Sequence, residues 1–158
     1  MAEAFFYHLE GTTAEDMLPD LLQRGVARGL RLAVEVADAE RLSALSLKLW
    51  SYEDVAFLAH GADGEPFPEA QAIWLASNSE NPNAAQCRFY FGGAWPTAAT
   101  TYDRVCLIFD GGDENELQKT RSLWREFKGL GIAIKYWKKD EGGRWVDHAQ
   151  GTSDPAAS

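Results

Sequence analysis

Residues 104–137 read RVCLIFDGGDENELQKTRSLWREFKGLGIAIKYW, and this stretch decides the fold. Its apolar run at residues 104–109 predicts a buried strand, residues 113–129 have the period of a helix, and residues 132–137 predict another strand. A strand, a helix and a strand in this order form a crossover unit, because parallel strands need a long connection between them. The unbroken apolar character of residues 104–109 predicts a central position in the sheet.

The rest of the chain continues the alternation of strands and helices. Strands are predicted at residues 4–9, 31–37, 72–77 and 87–91, and helices at residues 14–28 and 39–50. Thr12 or Thr13 can cap the first helix, and Asp38 the second. Pro19 would lie past the first turn, so the first helix either begins near Leu18 or is kinked.

A pair of glycines at residues 142–143 predicts a turn, so that the sheet ends in a hairpin with residues 144–146. The whole pattern favours an α/β, three-layer Rossmann-like fold, with a largely parallel central sheet and helices on both faces. We expect a single α/β domain over residues 1–148 and a disordered tail over residues 149–158.

Composition and charge argue against a membrane-spanning protein and against sequence-independent binding of nucleic acid. The chain has 158 residues, is 46% hydrophobic and has no apolar run long enough to cross a membrane, so we expect a soluble, cytoplasmic protein. The net charge of −9 disfavours sequence-independent binding of phosphate backbones, which draws on clustered Lys and Arg. Cys87 and Cys106 lack metal-ligand or redox spacing and are predicted to be buried free thiols.

The acidic stretch FDGGDENE, residues 109–116, resembles a catalytic metal site at first sight. Asp110 and Asp113 could hold Mg²⁺ with a substrate phosphate, but no partner lysine or third acid stands out. The glycine–acid signature of diguanylate cyclases lies on a hairpin, whereas a helical pattern follows here. No phosphate-cradling glycine loop is present either.

A turn explains the same residues better than chemistry does. Gly111 and Gly112 permit a sharp exit from the strand, and Asp113 is a good helix N-cap. Glu114 and Glu116 favour the positive end of the helix dipole. Since the three histidines also lack ligand spacing and no GxSxG elbow occurs, we predict no catalytic residue, no metal and no cofactor.

The helix after this turn has two distinct faces. With Arg121 set at 0°, the apolar residues fall between roughly 180° and 240°, with Thr120 just beyond, and are predicted to pack on the sheet. These apolar residues are Leu123, Phe127 and Leu130. A second face spans about 100° around Arg121 and combines three cations with an aromatic and an aliphatic residue. Its other members are Trp124, Arg125 and Lys128, with Leu117 beside them one turn earlier.

Two interpretations of this basic and aromatic face stay open. In one interpretation, the cations only complement the negative end of the helix dipole, and Trp124 covers a neighbouring loop. Alternatively, the face is a docking groove for an acidic peptide with an apolar side chain, in which arginines bind carboxylates and the aromatic ring is the anchor. A second surface candidate comprises Trp50, Phe57 and Leu58, which form either core or a protein-binding patch.

Several of these features occur together in one known family. The pair LW at residues 49–50, the segment FLAHG at residues 57–61, the long stretch from residue 102 and YWKKDEGGRW at residues 136–145 closely resemble the chi subunit of bacterial DNA polymerase III. The resemblance implies a non-catalytic accessory subunit of the clamp-loader assembly. In that family, chi links the replisome to single-stranded DNA-binding protein by gripping its acidic C-terminal tail, which ends in Pro-Phe.

The resemblance also assigns roles to residues. It places the tail on the helix from Leu117 to Lys128, with Arg121 meeting the terminal carboxylate or nearby acids, and with Trp124 and Arg125 in the groove. It places a psi subunit or a helicase on Trp50 and Phe57. DNA would then be contacted only indirectly, and no membrane would be involved.

Two other hypotheses compete with this adaptor. One is a nucleotide-binding Rossmann-like enzyme with a site near Asp110, at the carboxyl end of the central strand. The other is direct binding of single-stranded DNA through Trp124 and its neighbouring cations, which the net charge opposes.

Overall fold

A computed structural model describes residues 2–50, 60–62, 65–96, 102–139, 141–142 and 144–147. The described residues form the strands β1 (Glu3–Leu9), β2 (Leu32–Val36), β3 (Gly61–Ala62), β4 (Ile73–Ala76), β5 (Cys87–Phe91), β6 (Arg104–Asp110), β7 (Ala133–Lys139) and β8 (Trp145–Asp147). They also form the helices α1 (Ala14–Ala27), α2 (Ala39–Trp50) and α3 (Glu114–Gly129).

The strands make one sheet in the order β3-β4-β2-β5-β6-β1-β7-β8. All neighbours are parallel except β7 and β8, which pair antiparallel. The predicted central place of residues 104–109 is confirmed, because β6 lies between β5 and β1. The predicted terminal hairpin is confirmed by the pairing of Lys139 with Trp145.

Alternation along the strands sends side chains to two opposite cores. Phe5, Tyr7 and Leu9 of β1 pack with α1 and α2, whereas Ala4 and Phe6 pack with α3. Helices therefore lie on both faces of a largely parallel sheet, and the predicted three-layer Rossmann-like architecture is confirmed. Both cysteines are buried free thiols, as predicted.

Two details of the first half differ from the sequence-based expectation. Helix α1 begins at Ala14 after the N-cap Thr13, so a start near Leu18 is wrong. Pro19 is buried inside the helix, where its ring packs instead of ending the element. Strand β3 was not predicted, because a segment of two residues has no detectable period. Asp38 caps α2 as predicted, accepting from the backbone N–H of Glu40 at 3.0 Å.

Hydrogen bonds from two backbone N–H groups shape the turn after β6. The Gly111 N–H donates to the Leu9 carbonyl at 2.8 Å, which ties the turn to β1. The Gly112 N–H donates to the Asp110 carboxylate at 2.8 Å. Asp113 then caps α3 by accepting from the N–H groups of residues 115 and 116, at 2.9 and 3.2 Å. The turn interpretation of FDGGDENE is therefore confirmed.

A buried histidine lies directly beneath this turn. His8 forms a hydrogen bond through Nδ1 with the Tyr136 hydroxyl, and its Nε2 lies 2.9 Å from the Glu10 carboxylate. Burial lowers the pKa of His8. A Cβ added at Gly111 would overlap the His8 ring, so only glycine fits at this position.

An internal ion pair fills the sheet face beside α3. Arg88 on β5 is fully buried and donates to the Glu35 carboxylate on β2 at 2.9 and 3.1 Å. Its remaining N–H groups donate to the carbonyls of Asn78 and Glu80, at 2.7 and 2.9 Å. The Tyr102 ring lies 5.7 Å from its guanidinium carbon. These contacts compensate the desolvation of the charge and hold the loop after β4 against the sheet.

Replacing Gly111 tests the packing of the turn on His8. We expect Gly111→Ala to destabilise the protein by about 2 kcal/mol, because the added methyl displaces a ring held by two hydrogen bonds. Gly129→Ala is the matched control, since its Cβ meets no heavy atom within 4 Å. That change should stabilise α3 by up to about 1 kcal/mol. Urea unfolding measures both, and equal stability of the two variants would contradict the proposed contact.

Candidate functional site

Helix α3 is held on the sheet by an aromatic cluster. Its buried residues are Thr120, Leu123, Trp124 and Phe127. The Trp124 ring centroid lies 5.7 Å from that of Phe6 on β1 and 6.1 Å from that of Tyr136 on β7. The helix thus packs across the strands that it connects.

The structure answers whether Trp124 is exposed, which the sequence alone leaves open. Its side chain is 3% exposed, so it belongs to the core and does not lie open beside the cations. On the helical wheel Trp124 falls at roughly 300°, between the buried arc and Arg121, and a large indole at such a boundary can turn inward over the sheet. The prediction treated the boundary residue as part of the polar face.

Leu130 is a second correction. It was placed on the packing face, but its side chain is 61% exposed. The helix ends at Gly129 and Leu130 is the C-cap, so the helical period no longer sets its direction. Ile132 is buried in the α3 core instead.

The three predicted cations lie together on the outer side of α3. Arg121 is half-buried, whereas Arg125 and Lys128 are exposed. The Lys128 ammonium lies 5.9 Å from the centre of the Trp124 ring. Leu117 is half-buried and packs against the same core one turn earlier. The structure therefore keeps a basic strip, Arg121, Arg125 and Lys128, with Leu117 and the edge of Trp124 along its side.

Several hydrogen-bond donors beside the basic strip lack acceptors. Arg121 Nε, Trp124 Nε1 and Thr120 Oγ1 are buried and have no hydrogen-bond partner in the described part of the chain. A buried N–H without an acceptor is unfavourable by roughly 1–3 kcal/mol. Arg121 and Arg125 also form no ion pair with the residues that the structure describes. These two guanidinium groups can therefore donate to a carboxylate at the surface.

The second predicted surface is described only in part. Trp50 is 47% exposed at the end of α2, and its ring centroid lies 4.5 Å from that of His60. Ser46 and His60 Nε2 form a hydrogen bond of 2.8 Å, which holds the imidazole in place. Phe57 and Leu58 lie outside the described residues. Leu47, which the sequence does not single out, is 71% exposed one turn before Trp50.

A crevice of about 270 Å³ opens where the alternative enzyme hypothesis needs it, at the carboxyl ends of β1 and β6. Its lining includes four carboxylates, those of Asp38, Asp110, Asp113 and Glu116. Arg41 is the one cation among its described lining residues, and its guanidinium already donates to Glu15 at 2.7 and 3.1 Å. Such a charge distribution repels a phosphate.

Burial raises the pKa of the Glu116 carboxyl, and the nearby Asp113 and Asp110 carboxylates act in the same direction. Glu116 also accepts a hydrogen bond of 3.1 Å from the Asp110 N–H. In the described part of the chain, no three His, Cys, Asp or Glu side chains are grouped so that they could hold a metal ion. No helix in the same residues is long and apolar enough to span a membrane.

Alanine substitutions of Trp124 and Arg125 test which face of α3 is buried against the sheet. We expect Trp124→Ala to lower the free energy of unfolding by about 3–5 kcal/mol, because it leaves a cavity against Phe6 and Tyr136. Arg125→Ala, one residue away but exposed, should change it by less than about 0.5 kcal/mol. Guanidinium unfolding followed by circular dichroism measures both. A small loss for Trp124→Ala would contradict the observed burial.

Glu116 offers a test of the crevice electrostatics. Because its folded pKa lies above its unfolded pKa, its ionised form opposes folding at pH 7, and stability falls as pH rises through that window. Glu116→Gln should therefore be more stable than the parent protein at pH 7. The difference should vanish as pH falls towards about 4.3, where the parent carboxyl is protonated.

The exposed Glu114 is the control for this test. Glu114→Gln removes a charge from the positive end of α3 and should instead lose about 0.3–1 kcal/mol at pH 7. Thermal unfolding across pH 4–8 compares the variants. A Glu116→Gln protein less stable than the parent at pH 7 would show that the carboxylate is favourably solvated.

Comparison with known proteins gives the chain its family. Residues 1–135 match the family described as DNA polymerase III chi subunit, HolC. A curated relative from Rickettsia prowazekii (strain Madrid E), described as a probable DNA polymerase III subunit chi, is 24% identical over 85 residues. That match covers 54% of this chain, which spans about half, 52%, of the relative's length. The family match runs from β1 into β7, includes all of α3, and shows that this chain belongs to the DNA polymerase III chi subunit family.

Proposed function

We propose that this protein is a non-catalytic accessory subunit of the DNA polymerase III clamp-loader assembly. In this role it links the replisome to single-stranded DNA-binding protein by holding that protein's acidic C-terminal tail. The tail lies on the basic strip of α3. The contact with DNA is then indirect, through the partner protein, and the chain supplies recognition without chemistry of its own.

The observation that carries this proposal is the unsatisfied Arg121. Its Nε is buried without an acceptor in the described residues, although the side chain is only half-buried. A carboxylate that accepts from the solvent-facing part of the Arg121 guanidinium would add a charge-assisted hydrogen bond to a cation that forms no ion pair with the described residues. Since the free protein already holds the guanidinium beside the core, little side-chain order is lost when the tail binds.

The neighbours of Arg121 fit the rest of an acidic tail. Arg125 and Lys128 follow it at intervals of one and two helical turns, so they present positive charge along one line. Leu117, which is half-buried one turn before Arg121, supplies apolar contact for the terminal Pro-Phe. The chain carries a net charge of −9, so this strip attracts an acidic tail locally while the rest of the surface repels it.

A second protein contact is proposed at the end of α2. Leu47 and Trp50 are exposed apolar side chains one turn apart, and such a pair is a typical anchor for a partner helix or loop. A psi subunit or a helicase is the proposed partner there. This surface lies on the α1–α2 side of the sheet, whereas the basic strip lies on the α3 side, so both partners can bind together.

Arg121→Ala tests the tail site. We expect a peptide ending in Asp-Asp-Ala-Pro-Phe to bind the parent protein in the micromolar range, more weakly as salt rises. Arg121→Ala should reduce the affinity at least about tenfold, because one charge-assisted hydrogen bond contributes about 1.5–3 kcal/mol. Isothermal titration calorimetry measures both.

Lys119→Ala is the matched control, because Lys119 is an exposed cation of α3 that points away from the strip. It should bind the peptide like the parent protein. Equal affinity for the parent and Arg121→Ala would contradict the assigned site. Binding of a thymidine oligonucleotide in place of the peptide would favour direct DNA recognition instead.

A further inference from the structure

A groove of about 310 Å³ lies on the opposite face of the sheet from α3. It runs between the second half of α1 and the strands β1, β7 and β8. Helices α1 and α2 cover β2 and β4 on this face, and the hairpin β7–β8 extends beyond them. The groove belongs neither to the basic strip nor to the surface around Trp50.

Aromatic side chains form the floor of this groove. Phe5 and Tyr7 come from β1, Trp137 from β7 and Trp145 from β8. The Phe5 and Trp137 rings meet edge to face at 6.2 Å, and the Tyr7 and Trp145 rings do so at 5.6 Å. Such contacts hold the rings in fixed positions, so the groove is already formed without a ligand.

Cations form the rim. Arg24 and Arg28 lie on α1 and at its C-cap, and both are exposed. Lys135 is exposed on β7, with its ammonium 5.9 Å from the Phe5 ring centre and 5.7 Å from that of Trp137. Arg24 pairs with Asp20 at 3.0 Å, whereas Arg28 and Lys135 form no ion pair with any described residue.

We propose that this groove docks an acidic peptide segment that carries one apolar anchor side chain. Charge complementarity selects the acidic partner, because Arg28 and Lys135, which form no ion pair with any described residue, flank the groove in a chain whose net charge is −9. The aromatic floor takes the anchor, and Arg28 and Lys135 pair with flanking carboxylates.

A peptide fits this surface better than single-stranded nucleic acid does. Base stacking needs open ring faces, but Phe5 and Tyr7 are each only 8% exposed. Lys135 and Lys139 already lie over the rings of Trp137 and Trp145.

The groove and the basic strip are independent sites. They lie on opposite faces of the sheet, so the chain can hold two acidic segments at once. If the two segments belong to one partner molecule, the second contact becomes intramolecular and the combined affinity exceeds that of either site. This inference does not depend on what occupies α3.

The probe for the groove is the capped peptide acetyl-Glu-Asp-Leu-Glu-Asp-amide, which has no terminal carboxylate and no Pro-Phe end. Titrating it into the full ¹⁵N-labelled chain should shift the indole N–H signals of Trp137 and Trp145 in a saturable manner. Arg28→Glu should weaken this binding at least about fivefold, and Arg28→Lys should retain it within about twofold. Lys119→Glu, the same kind of charge change on α3, should leave it unchanged.

Three results would overturn the inference. One is that the peptide leaves both indole signals unmoved, and another is that Arg28→Glu binds the peptide as tightly as the parent protein does. The third is that a thymidine hexanucleotide shifts these signals and the peptide does not. Thermal unfolding of each variant separates lost binding from lost folding. Binding of the tail peptide is tested separately with the Arg121→Ala variant. A negative result for the groove therefore does not bear on the proposed tail site.

Discussion

The packing of Trp124 on Phe6 and Tyr136 is the interaction on which the rest of the α3 surface depends. An amphipathic helix on a sheet can rotate about its own axis until its largest apolar side chain is buried. With Trp124 inward, Arg121, Arg125 and Lys128 must point outward, and the Arg121 guanidinium rests at the boundary between core and solvent. The core interaction therefore sets the geometry of the recognition surface.

The features that could be predicted from the sequence are those that depend on residues close together in the chain. The apolar run of β6, the Asp113 cap and the glycine turn all act within a few residues, so their structures followed from neighbouring side chains alone. The Asp38 cap and the β7–β8 hairpin belong to the same class. The crossover order then constrained the sheet, because helices joining parallel strands must lie on its faces.

The features that escaped prediction depend on distant partners. Trp124 is buried because Phe6, 118 residues away in the sequence, and Tyr136, 12 residues away, pack against its ring. They leave room for an indole at the boundary between the buried and exposed faces of α3. The two-residue strand β3 forms because it pairs with β4, and its own sequence has no hydrophobic pattern that would predict a strand. The aromatic groove likewise joins residues from β1, α1, β7 and β8, which only the folded sheet brings together.

The ion pair of Arg88 and Glu35 has a consequence for how this family can change. It fills the part of the α3 face that no described helix covers, and it fastens the loop after β4 through the carbonyls of Asn78 and Glu80. Removing one partner would leave the other charge unpaired in the interior and would destabilise the protein by about 3–5 kcal/mol. Replacing both residues with apolar ones can leave the stability unchanged. Each single substitution would therefore be destabilising on its own. In descendants of this chain, Arg88 and Glu35 should accordingly be replaced together.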